Sequence, residues 1–386
     1  MNANLTANAE HEQSNAEFGI GGARKIVQIV ESFTYGTAKS VKQLCSFFPN
    51  DQITVFYGER DGTDLELESL DPRIRWLRLP SSGPAKHLLN IRFVHRMIDR
   101  DTDIIHGHST YGGCYAKALK ILRPRTRVFY SPRGYSFLRE DVPWPVRKLF
   151  WLFERCTARF CTTIACGPNE TDIAKTLSKD VLRINNGMVI PSEPEFDYIG
   201  DEILTIGRIS IQKGFDVFKE IASTLTDKRF VWIGSAEDSQ KKLLKDLPAN
   251  ATVIPAMPHD ELLKRIQAAR FILLPSRWEG LSRVLLESIC YGKALITSTC
   301  KSNKDCLTPK SGGDFQFENG FACARIDDYV KAITILDNEP ALLKQMQVAS
   351  YDLATEQFDL SKIRRQWTNL YQSQGQRVAA VKLGPQ

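Results

Sequence analysis

The sequence has no apolar run near the roughly 18–20 residues that a membrane-spanning helix requires. It also lacks the Gly-x-x-x-x-Gly-Lys-Ser/Thr pattern of P-loop nucleoside triphosphatases. No helix-turn-helix, zinc finger or interleaved aromatic-basic strand pattern is present, and the nine cysteines include no Cys-x-x-Cys pair. These absences argue against an integral membrane protein, a P-loop enzyme, a zinc site and a nucleic-acid partner.

The ends of the chain and its cysteines set further expectations. Residues 1–22 are polar and lack the basic start and apolar middle of a secretory signal, so we expect a disordered lead-in there. An odd number of cysteines in a chain of 386 residues fits buried free thiols in a reducing compartment. We therefore expect a cytoplasmic protein, long enough for two domains that each bury a core.

Charge is distributed unevenly between the two halves. Residues 23–190 contain 26 Lys+Arg against 17 Asp+Glu, whereas the residues beyond 190 carry 25 of each. A basic half indicates an anionic partner, such as a phosphate-bearing substrate or a membrane surface.

Residues 142–160 are rich in aromatic and basic side chains and predict a helix. We favour a core helix whose aromatic face packs on the first sheet. The alternative is a helix lying on an anionic membrane surface, with basic side chains near the lipid head groups. These side chains are Arg147, Lys148, Arg155 and Arg159.

Strand-like runs alternate with amphipathic segments of helix length along the chain. In the first half the runs are KIVQIV, ITVFYG, IRWLRLP, DIIHGHS, RVFYSP, TTIACG and DVLRINNG. A proline-containing linker near residues 188–200 precedes EILTIG, FVWIGS, ATVIPA, RFILLPS and KALITS. This alternation predicts two α/β, doubly wound Rossmann-like domains, residues 23–190 and 191–358. We expect residues 359–386 to form a helix packed back on the first domain and a flexible tail.

The segment TIGRISIQKG places a glycine and two cations at the end of the first strand of the second domain. Gly207 allows a ligand to approach the backbone, while Arg208 and Lys213 precede a predicted helix. Two cations at a helix N-terminus favour a diphosphate. An ordinary surface loop remains the alternative for this segment taken alone.

Two glutamates follow the apolar run RFILLPS. Glu279 lies in the loop after that predicted strand, and Glu287 lies on the helix that begins near Val284. In open α/β sheets the crevice at the carboxyl ends of the strands binds ligands. Because this loop can face the same crevice as Arg208 and Lys213, we expect a carboxylate suited to sugar hydroxyls beside a diphosphate clamp.

GRISIQKG followed by PSRWEGLSRVLLESICYGKALITS resembles the retaining glycosyltransferases of family 4, which have the GT-B fold. The resemblance runs from residue 24 onward. KIVQIVESFTYGTAKSV is similar to the family's first strand and glycine-containing loop, DIIHGHSTYGG to its fourth strand and INNG to its turn before the linker. It implies two Rossmann-like domains that face a central cleft.

The resemblance also implies roles for individual residues. Arg208 and Lys213 would hold the donor's diphosphate, Glu279 would face the donor sugar at the reacting centre, and Glu287 would bind the ribose hydroxyls. Further substrate-binding positions would be Gly207, Gly280, Leu281, Ser282, Arg283, Gly36, Thr37, Arg133 and His108. No metal or other cofactor is implied, because fixed cations and helix amides can stabilise a departing nucleoside diphosphate.

Two positions depart from the family's pattern. Gly36-Thr37 stands where many members have two glycines, and Arg133 stands where many have histidine. We expect the Arg133 side chain to enter the cleft opposite Glu279 and to meet an anion there, because an unpaired guanidinium is costly to bury. Glu279 itself, a uronic acid carboxylate of the donor and an acceptor phosphate are the candidates, and we favour the last.

The predicted function is transfer of a hexose from a nucleoside diphosphate sugar to a growing glycan or lipid-linked acceptor. We expect the nucleotide to be UDP. The setting would be polysaccharide or lipopolysaccharide assembly at the cytoplasmic face of a membrane. Two alternatives remain: a nucleotide-sugar epimerase of GT-B type, which needs no acceptor, and a scaffold subunit that keeps the fold without activity.

Overall fold

A computed structural model describes residues 23–59, 63, 70–80, 86–192, 196, 200–311 and 313–373. The lead-in expected at residues 1–22 and the tail expected beyond residue 373 lie outside these residues. Within the described part of the chain, two sheets of seven strands each are present. In that same part, no helix is both long and apolar enough to cross a membrane.

The first domain is built on a parallel sheet with the strand order β3-β2-β1-β4-β5-β6-β7. Its strands are β1 (Lys25–Val30), β2 (Gln52–Tyr57), β3 (Arg75–Arg78), β4 (Ile104–His108), β5 (Arg127–Ser131), β6 (Thr162–Ala165) and β7 (Val181–Arg183). Its helices are α1 (Tyr35–Ser46), α2 (Lys86–Met97), α3 (Ser109–Leu122), α4 (Trp144–Thr157) and α5 (Pro168–Leu177). The order reverses between β1 and β4, where a ligand crevice is expected.

The second domain has the order β10-β9-β8-β11-β12-β14-β13, in which only the β13–β14 pair is antiparallel among the described strands. Its strands are β8 (Glu202–Ile206), β9 (Arg229–Ile233), β10 (Ala251–Ile254), β11 (Phe271–Leu274), β12 (Leu295–Ser298), β13 (Gln316–Phe317) and β14 (Gly320–Cys323). Its helices are α6 (Phe215–Thr224), α7 (His259–Ala268), α8 (Arg283–Cys290), α9 (Lys301–Lys304), α10 (Ile326–Asn338) and α11 (Pro340–Gln357).

Burial explains why the central runs form strands. Every residue of β8, β11 and β14 is buried, as expected for parallel strands covered by helices on both faces. Packed cores lie on both faces of each sheet. The predicted fold of two Rossmann-like domains is confirmed, with strands at all twelve of the predicted runs.

The chain returns to the first domain at its end. Met188 donates its backbone N–H to the carbonyl of Phe358 (2.7 Å) and accepts from the N–H of Leu360 (2.9 Å). Helix α12 (Leu360–Gln372) follows, and its Trp367 and Tyr371 are buried in the core of the first sheet. This helix therefore packs on the first domain along its length.

The core-helix interpretation of residues 142–160 is wrong. Helix α4 buries only Glu154, while Trp144 and Leu149 are 69% and 65% exposed. Glu154 holds the helix in place, because its carboxylate accepts hydrogen bonds from Lys117 Nζ (2.5 Å) and the Tyr130 hydroxyl (2.8 Å). These buried polar contacts determine which face of α4 packs against the domain, and the apolar side chains of the helix face outward.

The cysteine expectation holds for most of the thiols. All nine cysteines are free, and six of them are buried: Cys45, Cys161, Cys166, Cys290, Cys306 and Cys323. Cys156 on α4 is exposed, in line with the outward position of that helix.

Candidate functional site

The site lies where two loops of the second domain leave neighbouring parallel strands. Strand β8 pairs directly with β11, so the loops that follow them, residues 207–214 and 275–282, emerge side by side. Arg277 N–H donates to the carbonyl of Gln212 (2.8 Å), and the Gln212 side chain donates to the carbonyl of Trp278 (3.1 Å). These bonds make the two loops one continuous rim at the carboxyl edge of the sheet.

Two glycines shape the first of these loops. Gly207 has φ +153°, and a Cβ there would lie 3.3 Å from Cδ and Cε of Lys213. Gly214 precedes α6 with φ +74°, and a Cβ there would collide with the Pro275 carbonyl at 2.2 Å. Glycine is therefore required at both positions: one makes room for the lysine stem, and the other lets the helix start against the neighbouring loop.

Lys213 and Glu279 meet across the rim. The lysine Nζ donates to Oε1 of Glu279 at 2.5 Å, and the two side chains are only 14% and 9% exposed. The Glu279 backbone carbonyl accepts from the Ser302 hydroxyl (3.0 Å), which ties the loop to α9. The structure thus brings together Glu279, expected at the reacting centre, and Lys213, one of the two expected diphosphate ligands, just before the N-terminus of α6.

Arg208, the third of these residues, is placed differently. Its Nη1 donates to Glu237 at 2.7 Å, and both side chains are more than 40% exposed. An exposed ion pair contributes little free energy and exchanges readily for another anion. Arg208 can therefore leave Glu237 for a ligand phosphate at small cost.

Helix α8 carries the next predicted positions. It begins after Ser282, which is buried, and its first amides have no partner within the helix. Glu287 is 8% exposed, with His259 Nε2 at 3.8 Å and Arg283 Nε at 3.9 Å from its Oε1. The second predicted glutamate therefore lies in the second turn of α8, beside a histidine and an arginine.

The first domain closes over this rim. A Cβ on Gly280 would lie 3.1 Å from the Arg133 carbonyl, so two backbones from different domains nearly touch there. A Cβ on Gly36 would lie 3.3 Å from Cδ of Arg283. Gly36 and Thr37 lie in the first turn of α1 rather than in the expected loop, because α1 already begins at residue 35. Leu281 completes the contact in the core that the two domains share.

Of the three anions considered for Arg133, Glu279 is not its partner in the structure. Arg133 Nε donates to Nδ1 of His108 (3.2 Å) and Nη1 to the Asn186 side chain (3.3 Å), while Glu279 is paired with Lys213. His108 in turn bonds Gln28 through Nε2 (2.8 Å) and is fully buried. Burial first, then the neighbouring His106 and Arg133, hold the pKa of His108 well below its usual range, so the ring is neutral.

The sequence did not single out two further acids at the domain boundary. Glu170 is buried and accepts backbone N–H bonds from Gly134 (2.7 Å) and Cys166 (2.9 Å), which fixes the loop that carries Arg133. Asp305, at the end of α9, accepts from the backbone N–H of Asn169 (3.1 Å) at the N-terminus of α5. Asp305 and Asn169 are 136 residues apart in the chain, so no local pattern could pair them.

Together with Glu279, these acids line a cavity between the domains. Burial raises the pKa of Asp305 to about 7, and the charges of Glu170 and Asp172 add to that increase. The Asn169 N–H and the charge of Arg183 oppose it. We therefore expect the contact between the domains to depend on pH near neutrality.

We expect Asp305→Asn to stabilise the protein above pH 7. The carboxyl binds its proton more tightly when folded, so its contribution to the free energy of unfolding falls as pH rises from about 4 to about 7. The asparagine carbonyl still accepts from Asn169 but carries no charge to bury. The difference in Tm between Asp305→Asn and the wild type should grow with pH and level off above pH 7, at roughly 2–8 °C.

Tm measured from pH 5 to pH 8 checks this expectation. Asp260→Asn, at an exposed aspartate on α7 of the same domain, is the control and should show no such trend. A difference in Tm between Asp305→Asn and the wild type that shrinks as pH rises would contradict the assigned direction.

Comparisons with known proteins agree with this architecture. Residues 196–352 match the family described as Glycosyl transferases group 1. A relative named as an uncharacterized glycosyltransferase from Haemophilus influenzae is 26% identical over 52% of this chain, and the match spans only 59% of that protein. A second, 22% identical over 80% of this chain and 86% of its own length, is the UDP-Gal:alpha-D-GlcNAc-diphosphoundecaprenol alpha-1,3-galactosyltransferase of Escherichia coli.

Among solved structures, HepE of Anabaena in complex with UDP and glucose superposes with a TM-score of 0.73. The alignment covers 91% of this chain and all of HepE at 13% identity, a likeness that shows the fold alone. The chain has the GT-B fold, and its second domain matches the group 1 glycosyl transferases over residues 196–352.

Proposed function

We propose that this protein is a retaining glycosyltransferase of family 4, which transfers a hexose from a UDP-sugar to a growing glycan or lipid-linked acceptor. One observation carries the proposal. Lys213 and Glu279, in the loops that lead into α6 and α8, form a direct ion pair, and Glu279 lines a cavity that the first domain also lines. Cation, carboxylate and free helix amides are the groups that a sugar diphosphate needs.

Each group has a task in this proposal. Lys213 and Arg208 bind the diphosphate and offset the negative charge that develops on the departing nucleotide. Glu279 binds the donor sugar beside the reacting carbon, and Glu287 binds the ribose hydroxyls below α8. The amides of Leu281, Ser282 and Arg283 at the start of α8 add further donors to the phosphates and sugar.

Retention follows from attack on the same face that the nucleotide leaves, with the leaving phosphate taking the acceptor's proton. The carboxylates of the cavity are already engaged: Glu279 with Lys213, Glu170 with two backbone amides and Asp305 with Asn169. This arrangement favours the phosphate as proton acceptor. We propose that the fixed cations allow transfer without an added metal, so activity should persist in EDTA.

The setting is supported by the names of relatives. The Escherichia coli protein is named for transfer of galactose from UDP-Gal to a diphosphoundecaprenol-linked acceptor, and a 22% identical Klebsiella pneumoniae protein is named for its location in a cps region. The matched structure of HepE contains UDP and glucose. We infer polysaccharide or lipopolysaccharide assembly, with the acceptor met at the cytoplasmic face of a membrane.

Incubation with a panel of nucleotide sugars and a lipid extract tests the function. The expected result is nucleotide release that depends on the extract, with a product heavier by one hexose and an anomeric carbon of unchanged configuration.

Turnover of the donor without extract would instead indicate the epimerase. Binding of UDP without turnover under any condition would indicate a scaffold subunit. An inverted product would overturn retention and make Asp305, with its raised pKa, the first candidate for a base.

We further propose that α4 attaches the protein to anionic membranes. Its exposed apolar side chains Trp144, Leu149 and Leu152 accompany exposed basic ones, Lys148 and Arg155, as in helices that lie in a membrane interface. The charge excess of residues 23–190 would add attraction to acidic lipids.

Sedimentation with vesicles checks this attachment. The protein should pellet with vesicles that contain acidic lipid at low salt and dissociate as salt increases, because screening weakens the attraction. Leu149→Asp should reduce the bound fraction, whereas Val348→Asp, at an exposed apolar residue on α11, should not. Equal pelleting with neutral and acidic vesicles, or equal effects of the two substitutions, would contradict attachment through α4.

A further inference from the structure

The loop that carries Arg133 has an uncommon backbone. Arg133 has φ +53° and Gly134 has φ +95°, and residues with side chains rarely adopt the left-handed region. Glu170 holds the turn from one side through the Gly134 N–H, and Gly280 of the second domain approaches it from the other. Such a conformation persists where the surrounding structure imposes it, and residues of this kind cluster at ligand sites.

The guanidinium of Arg133 has only uncharged partners. His108 Nδ1 and the Asn186 side-chain oxygen accept its two hydrogen bonds. His108 is neutral because Nδ1, as the acceptor, carries no proton, and the single N–H of the ring, at Nε2, donates to Gln28. Among the described residues no carboxylate forms an ion pair with Arg133, and its Nη2 donates no hydrogen bond. The guanidinium thus places a positive charge at the base of the cleft, and some of its N–H groups remain available to a ligand.

Arg133 lines a cavity of the first domain, between α1, the ends of β5–β7 and α12. It is a narrow pocket that is partly open to solvent. Arg133 is the one charged side chain among its lining residues, and the remaining polar ones are Ser40, Gln43, Ser131, Asn185 and Asn186. The side-chain oxygen of Asn185 is buried without a partner, so a ligand hydroxyl would find an acceptor there.

We propose that this cavity binds an oxyanion of the acceptor, a phosphate or a carboxylate, and that Arg133 selects acceptors that carry one. The inference rests on the proposed function. The donor's diphosphate is assigned to Lys213 and Arg208 of the second domain, whereas every residue of this cavity belongs to the first domain or to α12. The anion therefore comes from the acceptor, and a fork of guanidinium donors suits either phosphate or carboxylate.

Titration with small anions tests the site directly. Methyl phosphate and acetate are added to the full chain, with and without saturating UDP, and binding is followed by calorimetry. The wild type should bind at least one of them, and the stronger one identifies the group. Arg133→Gln should weaken that binding roughly 10- to 100-fold, and Arg133→Lys by less. Arg125→Gln, at an exposed arginine on the loop before β5, is the matched control.

The outcomes separate this inference from the proposed function. Equal binding by Arg133→Gln and the wild type, or no binding of either anion by the wild type, overturns the anion site. Failure of the wild type to bind UDP overturns the proposed function and leaves the anion titration interpretable. In turnover assays, Arg133→Gln should raise the KM for the acceptor and leave the KM for the donor unchanged. A rise in donor KM alone would also overturn the acceptor assignment.

Discussion

Lys213→Ala is expected to lower kcat/KM by roughly 100- to 1000-fold, since it removes a fixed cation that stabilises charge developing on the leaving diphosphate. The lysine stem passes over Gly207 and its Nζ is held by Glu279, so the position of the cation is fixed. Affinity for free UDP should fall roughly 10- to 100-fold, the effect of a lost charged hydrogen bond. Steady-state kinetics and calorimetry measure the two quantities.

Arg208→Ala is the informative comparison. Arg208 must leave Glu237 to reach a ligand and is 42% exposed, so its loss should weaken UDP binding by less than the loss of Lys213. Lys264→Ala, at an exposed lysine on α7, should change neither quantity. Unchanged UDP affinity in both Lys213→Ala and Arg208→Ala would remove the diphosphate assignment.

Removal of Lys213 also leaves Glu279 nearly buried without its partner, which destabilises proteins. The double variant Lys213→Ala/Glu279→Gln separates this effect from catalysis, because it removes both charges. Recovery of activity in the double variant would mean that the lysine acts only by neutralising Glu279. Continued inactivity with a wild-type Tm is the expected result.

Glu279→Gln is expected to lower kcat by roughly 100-fold or more with a modest change in donor KM, because its contact with the sugar matters most at the transition state. Glutamine keeps the shape of the side chain and can still accept from Lys213. Glu287→Gln should show the opposite pattern: a donor KM raised roughly 10-fold with kcat nearly retained, since ribose binding is common to ground and transition states.

Steady-state kinetics of both variants against donor concentration decides between these patterns. Glu261→Gln, at an exposed glutamate on α7, provides the control. If Glu279→Gln mainly raised KM and Glu287→Gln mainly lowered kcat, the two roles would have to be exchanged.

Much of the second domain's site followed from local sequence. The short apolar run FILL, ended by Pro275, predicted a buried strand, which the structure confirms. Gly207 and Gly214 mark the close approaches that the loop after β8 makes. Lys213 and Glu279 could be expected near each other because parallel strands expose their carboxyl ends at one edge. Their direct contact at 2.5 Å, and the pairing of Arg208 with Glu237, depend on side-chain positions that no sequence spacing specifies.

Helix α4 shows where local pattern fails. An amphipathic pattern predicts that a helix has an apolar face, but it does not predict whether that face packs on the protein core or lies exposed at the surface. The aromatic residues were expected in the core, whereas the structure buries Glu154 through Lys117 and Tyr130 and turns Trp144 and Leu149 outward. The orientation of α4 depends on contacts among three separate segments of the chain, those of Glu154, Lys117 and Tyr130.

The alternation of buried strands and helices was enough to establish two Rossmann-like domains, because period and length of apolar runs are local properties. The loops of the second domain to which we assign the donor diphosphate could be located for the same reason. Only the tertiary structure decided how the domains meet: Asp305 at the N-terminus of α5, Gly280 against the turn of Arg133, and the Arg133 side chain on His108 instead of Glu279. These contacts join residues far apart in the chain, and their energies depend on burial and distance that appear only when both domains are packed together.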